Sequence, residues 1–270
     1  MVGNSDHMKK CSAGCLAFLA VAIGLAFASA IGAPAQENKE ARDLPEREEI
    51  HQSYQLAPGA RVEVSVLSGS VDVQTVEGNT AEINIVRSAR TRQELDCYSV
   101  AIDHSPTSLV LRHQQEHTGS CQSIRARQRV SLTLPRDVDL TLHAISGPVT
   151  LGPISGNLRL SGLSGRVEVE QGLGFSDISG ISGNLIVHVS RLGDRGMRVS
   201  GISGTAEFLI GADVGADIVI NGIAGGVGVT APGVAVSQVS ESNFRGRIGA
   251  GGPPISISGL SGTLAFRADK

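Results

Sequence analysis

The amino-acid sequence predicts an all-β protein, and within that class a β-solenoid or β-helix-like stack with about two short strands per coil of 18–21 residues. Three observations lead there. Apolar residues alternate with polar ones in short runs bounded by Gly, Pro, Asp or Asn, the punctuation of strands. One glycine-rich phrase recurs: LSGLSGRVEV at 160–169, ISGISGNLIV at 178–187, VSGISGTAEF at 199–208, INGIAGGVGV at 220–229 and ISGLSGTLAF at 257–266. No stretch beyond the N-terminal segment has a helical period. A catalytic motif is normally written once, whereas a phrase repeated at near-constant spacing describes architecture.

The first element is a targeting segment over residues 1–35. Met8-Lys9-Lys10 is a basic start, Cys11 to Ala30 is uncharged and apolar, and Ala33-Pro34-Ala35 is an A-x-A site. This tripartite order predicts a secretory signal cleaved after Ala35. An uncleaved inner-membrane anchor is the competing reading, because the apolar run is nearly long enough to span a bilayer. Residues 36–48, QENKEARDLPERE, carry charge without apolar period and read as a linker.

From residue 49 the period is two. Val62, Val64 and Val66 alternate with polar residues, as do Val71 and Val73, Ile83 and Ile85, and Val130, Leu132 and Leu134. Residues 49–139 are therefore read as irregular first rungs of the stack. Cys97 and Cys121 are the two cysteines beyond the targeting segment, and in an oxidising compartment they predict a disulfide. YSVAI, a turn at HSPTS and SLVLR lie between them, a hairpin that brings its ends together. Closing such a loop contributes on the order of 3 kcal/mol.

Residues 140–270 form the regular region, continuous with 49–139 as one domain. The second glycine of each phrase falls at Gly147, Gly165, Gly183, Gly204, Gly225, Gly246 and Gly262. Gly246 belongs to the degenerate copy NFRGRIGA yet lands in phase. Each period is read as two strands and two turns, with GPISG at 152–156 and GADVG at 211–215 supplying the second turn. A two-stranded unit buries only one face, so copies must stack to share a core. Arg267-Ala-Asp-Lys270 at the chain's end would discourage edge-to-edge pairing.

Those phrases, together with VEVSVLSGSVDVQTVEG at 62–78 and RVSLTLPRDVDLTLHAISG at 129–147, resemble the "putative adhesin" family of bacterial exported proteins. The resemblance covers about residues 49–268. It implies a right-handed β-solenoid-like fold at the cell envelope and no enzyme activity, and it offers no catalytic residue to carry over.

Composition narrows the function. The formal net charge is −3 and aromatic residues make up 3%, so neither a strong basic field nor stacking platforms for bases are present. No nucleic-acid partner is expected. His113-Gln-Gln-Glu-His117 spells a zinc-peptidase signature, but that chemistry needs a helix and the motif leaves the extended run SLVLR. Gly226-x-Gly228-x-x-Ala231 imitates a dinucleotide fingerprint without the following helix. Asp213 and Asp217 lack the acidic ladder of a calcium-binding β-roll. Arg87, Arg90 and Arg92, read as a loop cluster, and Arg125, Arg127 and Arg129, alternating on a strand, form a candidate patch for an anionic ligand. The plain alternative is a solubilising charged face.

The expectation is a non-catalytic exported envelope protein, free of cofactor and metal, that makes contact with an envelope protein or glycan and has stack ends open to self-association. A periplasmic accessory to a membrane sensor and a polysaccharide-active β-helix enzyme are the alternatives. The enzyme would need paired carboxylates and sugar-stacking aromatics.

Overall fold

The structure is a computed structural model, and it describes residues 44–115, 121 and 126–269. The targeting segment therefore lies outside the described residues. Among those described, no helix is long and apolar enough to cross a membrane.

The chain is all-β. In chain order the strands are β1 (Glu46–Gln55), β2 (Arg61–Val76), β3 (Thr80–Ala89), β4 (Tyr98–Ser105), β5 (Ser108–Gln115), β6 (Ala126–Pro135), β7 (Asp139–Ser146), β8 (Val149–Leu151), β9 (Leu158–Glu170), β10 (Ser176–Val189), β11 (Met197–Ile210), β12 (Ala216–Val229), β13 (Val234–Ser240), β14 (Asn243–Ile248) and β15 (Pro254–Ala268). A short helix, α1 (Arg92–Cys97), precedes β4.

The repeats pair in parallel and in register. Ser176 of β10 stands between Leu158 of β9 and Met197 of β11, and the match continues along the strands. Chain geometry then forces a bend. A straight 13-residue strand such as β9 would be about 40 Å long. The connection from Glu170 back to Ser176 reaches at most about 21 Å. A parallel neighbour is reachable only if each strand folds back, and the fold falls at the Ser-Gly-x-Ser-Gly phrase, where both glycines have positive φ: +62° and +133° at Gly201 and Gly204.

This revises the expected unit. Each repeat is one bent strand, β9, β10, β11 or β15, with the ladder carried through the bend on both neighbours. The alternation shifts by one residue at the bend, and apolar residues of both halves still point inward. Ile178 before it, Ile181 within it, and Leu185 and Val187 after it are all buried. Phe208 and Phe266 stack at 5.3 Å between centroids, the largest buried pair.

The first rungs obey the same plan. The two halves of β2 pair with different strands, the first with β5 and β7, the second with β6 and β8. β7 and β8 are two halves of one rung interrupted at Gly147-Pro148, and both lie between β2 and β9, so these four strands close on one another. Beyond this end, β4 pairs antiparallel with β5, and β3 and then β1 add antiparallel to β6. β1 begins at Glu46, so the charged linker ends earlier than its composition suggests: Glu46, Arg47 and Glu48 are strand residues.

The far end departs from sequence order. β15 is inserted between β11 and β12, so Gly262 stands between Gly204 and Gly225. Gly246 is not in this column. It lies in β14, which pairs antiparallel with β12 and β13 and places Gly246 opposite Ile218 and Val236. The chain's last strand is internal, and its charges have other work: Arg267 pairs with Glu207 at 3.0 Å and Asp269 faces His188 at 3.4 Å. The β13–β14 hairpin covers only the first half of β12. Val229 is 36% exposed, whereas Phe208 and Phe266 in the same position of inner rungs are buried.

A Gly204→Ala substitution would push a Cβ against the carbonyl oxygen of Gly183 at a φ of +133°, whereas a Cβ on Gly226 would meet nothing within 4 Å. Gly204→Ala is expected to cost more than about 3 kcal/mol and Gly226→Ala under about 0.5 kcal/mol. Urea unfolding followed by circular dichroism checks this; equal midpoints would show that the column tolerates a side chain.

Candidate functional site: an arginine- and serine-lined groove

The six arginines of the sequence-predicted patch do not act together. Arg87 is in β3, where Ala81, Ile83, Ile85, Arg87 and Ala89 all point inward, and it is 7% exposed. Its guanidinium pairs with Glu48 and donates to the carbonyls of Leu95 at 3.1 Å and Tyr98 at 2.6 Å. Those carbonyls end helix α1, so the cation completes a helix terminus. Arg90 pairs with Glu94 at 2.7 Å, and Arg92 with Asp96 at 3.4 Å. The expected loop is a helix capped by Thr91, whose hydroxyl accepts from the Glu94 N–H at 3.2 Å. These three arginines hold the fold together, and their charges are already matched. Arg125 lies outside the described residues.

Arg127 and Arg129 are exposed and point outward from β6. Strand pairing sets them in two rows. Arg47 of β1, Ser88 of β3 and Arg127 stand abreast, and in the next row Glu49, Val86, Arg129 and Ser70 stand abreast. The groove between them has a volume of about 510 Å³. Three guanidinium groups and the serines Ser68, Ser70, Ser88 and Ser146 line it, and among the described residues no carboxylate does. Its floor is open backbone at Gly69 and Gly147; a Cβ on Gly69 would strike the carbonyl oxygen of Gln128. Sequence reasoning missed Arg47, hidden in what looked like a linker, and missed Gly69, although SGSVDV at 68–73 already has the repeat's pattern.

A second, more open cleft of about 720 Å³ adjoins the first: Ser70 lines one and Asp72, the next outward residue of β2, lines the other. Asp72, Glu168, Glu170 and Asp269 make it acidic, and His188 sits between Glu168 at 3.3 Å and Asp269 at 3.4 Å. Arg166 donates to Glu168 at 3.0 Å and, with a smaller contribution from His188, holds its carboxyl below the ordinary range against a modest burial cost.

His113 is in β5, extended and packed on the Tyr98 ring at 3.8 Å, so the zinc-peptidase helix is absent at that residue; Glu116 and His117 lie outside the described residues. Burial raises the Tyr98 phenol's pKa, partly opposed by the Ser68 N–H donating to its oxygen at 3.1 Å. Gly226 and Gly228 are in β12 with no helix following. Asp217 faces Arg247 at 3.5 Å, and among the described residues no group of three His, Cys, Asp or Glu could hold a metal. Cys97 and Cys121 are joined in a disulfide, with Cα atoms 5.6 Å apart.

No protein-family model and no curated protein matches the chain. Among solved structures, one described as a putative cell adhesion protein from Clostridium sporogenes is 14% identical, with 83% of this chain and 100% of that one covered and a TM-score of 0.43. A putative adhesin from Bacteroides fragilis is 11% identical, covering 82% and 98%, with a TM-score of 0.26. A putative lipid binding protein from Parabacteroides distasonis is 13% identical, covering 81% and 96%, with a TM-score of 0.25.

Two outcomes follow. Arg87→Ala removes the nearer of Glu48's two cations and leaves two carbonyls without a donor, and is expected to cost about 2–4 kcal/mol, while Arg129→Ala changes stability by less than about 0.5 kcal/mol, read by denaturant unfolding. A carboxyl with a lowered folded pKa adds stability that is present above its ordinary value and lost as pH falls through the folded one. The stability gap between the native protein and Glu168→Gln should therefore hold from neutral pH down to about 4.5 and close below it.

Proposed function

We propose that the chain is an exported, non-catalytic protein of the cell envelope that works by contact, as a β-solenoid-type scaffold presenting its outer face to a partner. The observation that carries this reading is that outer face. Outward positions repeat across successive parallel rungs, so side chains from distant sequence positions align in straight rows. Such rows build a continuous polar surface with a basic groove beside an acidic cleft. Export is supported by the Cys97–Cys121 disulfide, which fits an oxidising compartment, and by the A-x-A site at residues 33–35.

Fractionation with protease applied to intact cells tests the reading. The expected product is a mature chain beginning at Gln36, in the envelope fraction and digested from outside. A protected or uncleaved chain would move the function to a periplasmic partner, and a chain confined to the cytoplasm with reduced cysteines would overturn export altogether. The double substitution Cys97→Ser with Cys121→Ser should lower stability by about 3 kcal/mol, checked by denaturant unfolding of the purified variants.

A further inference from the structure

We infer that the far end of the stack joins a second copy of this chain about a two-fold axis parallel to the strands, independently of what the outer face contacts. In this junction β13 of each copy pairs antiparallel with the open half of β12 in the other. The far end is a step. The β13–β14 hairpin lies over the first half of β12, and its cover stops at Ile223, whose N–H donates to the Ser242 carbonyl at 3.1 Å. Beyond the bend, residues 225–229 pair with β15 on one side and, among the described residues, with no strand on the other. β13 is the last strand of its own side, and among the described residues it pairs only with β14. Each half of the end thus finishes in an unused strand edge, one of them two strands higher than the other.

Such a step is complementary to itself. Each rung folds back at its bend, so the second half of β12 runs opposite to the first half, while β13 runs the same way as that first half. A two-fold rotation that exchanges the halves therefore sets β13 antiparallel to residues 225–229 of the other copy. It fills both steps at once and leaves no edge at that end, the closed form of an isologous contact. The backbone groups agree. Thr230 donates to the Phe266 carbonyl at 2.9 Å, so the alternate residues Val227 and Val229 turn their N–H and C=O groups to the open side. Gly249 donates to the Gly233 carbonyl at 2.9 Å, which makes Ala235 and Ser237 the residues bonded to β14 and leaves Val236 facing out. Setting Val236 of one copy against Val227 of the other puts Val234 beside Val229 and Ser237 opposite Gly226. Val227, Val234 and Val236 pack against the core, and exposed Val229 stands where inner rungs hold buried Phe208 and Phe266, so the pairing carries the apolar column across the junction. Charge favours this partner as well. GGVGVTAPGVAVSQV at 225–239 holds no charge, so neither edge meets a like charge. The sheet's opposite edge is β1, whose Glu46, Arg47, Glu48 and Glu49 guard it against head-to-tail addition. Residues 225–243 take part, about 20 from each copy, at the low end of the roughly 20–30 a side of a stable interface.

The test is sedimentation velocity of the purified, disulfide-bonded protein across about 1–100 µM. A monomer–dimer equilibrium that stops at two copies is expected. Gly226→Lys with Ser237→Lys sets like charges opposite each other twice across the junction, and Gly226→Glu with Ser237→Glu does the same with the other sign. A Cβ on Gly226 meets nothing within 4 Å, and Ser237 is exposed, so both variants keep the fold. Each double variant alone should associate at least about tenfold more weakly, with an unchanged circular dichroism spectrum, and an equal mixture of the two should regain the native association. A native protein that stays monomeric at about 100 µM overturns the inference and leaves the edge to an extended segment of another protein. Undiminished association of both variants, no recovery on mixing, or oligomers that keep growing with concentration would each overturn it too.

Discussion

Glycine stacked on glycine at the bend is the contact on which the architecture turns. Gly147, Gly165, Gly183, Gly204, Gly262 and Gly225 follow one another across the rungs, each with φ between +127° and +149°. At Gly183 an added Cβ would run into the carbonyl oxygen of Gly165 on the neighbouring rung. The bend thus excludes side chains twice, by backbone conformation and by the closeness of the next backbone. It also fixes register: a strand that slipped by one residue would bring a side chain into the column and turn its buried face outward. The apolar columns at Val199 and Ile202 on one side, and Ala206 and Phe208 on the other, add burial energy to a register already set.

The same geometry builds the candidate site. Where the column begins, Gly69 and Gly147 leave bare backbone, and the rows of β1, β3, β6 and β2 set cations on one side of it. Because rungs stack in register, a residue's face and row decide its neighbours more than its distance in sequence. Arg87 and Arg129 illustrate this. Strand pairing joins β3 to β6, yet one arginine points in and is consumed by structure while the other points out.

Much of this was legible in the residues. Period two and the Ser-Gly phrase were enough for an all-β chain, for copies stacked on one another and for the hairpin under the disulfide. The strand count per repeat was not, because a bend and a break between two strands both leave a period-two run on either side of the glycines. The insertion of β15 was hidden for a related reason: its ISGLSGTLAF fits beside any copy of the phrase, and only the antiparallel course of NFRGRI takes the intervening chain out of the way. Part of the site could have been read. The inward series Ala81, Ile83, Ile85, Arg87 already placed that arginine in the core, and Thr91-Arg-Gln-Glu94 is a helix-capping pattern. Arg47 could not be recovered, since β1 is an added antiparallel edge whose outward positions are mostly charged or polar.

The internal position of β15 has a kinetic side. At ordinary synthesis rates the ribosome needs about 2–8 s to add the 39 residues between Val229 and Ala268. A local β-hairpin forms in microseconds, and pairing of distant parallel strands is slower. For that interval the nascent chain holds β11 with an open edge and β12, bearing nearly the same phrase, as the nearest strand able to occupy it. The native order requires that this place be kept for, or surrendered to, a segment made later. Assembly therefore cannot proceed rung by rung from the N-terminus, and a nascent chain stopped before Pro254 carries a half-built column whose two edges match each other.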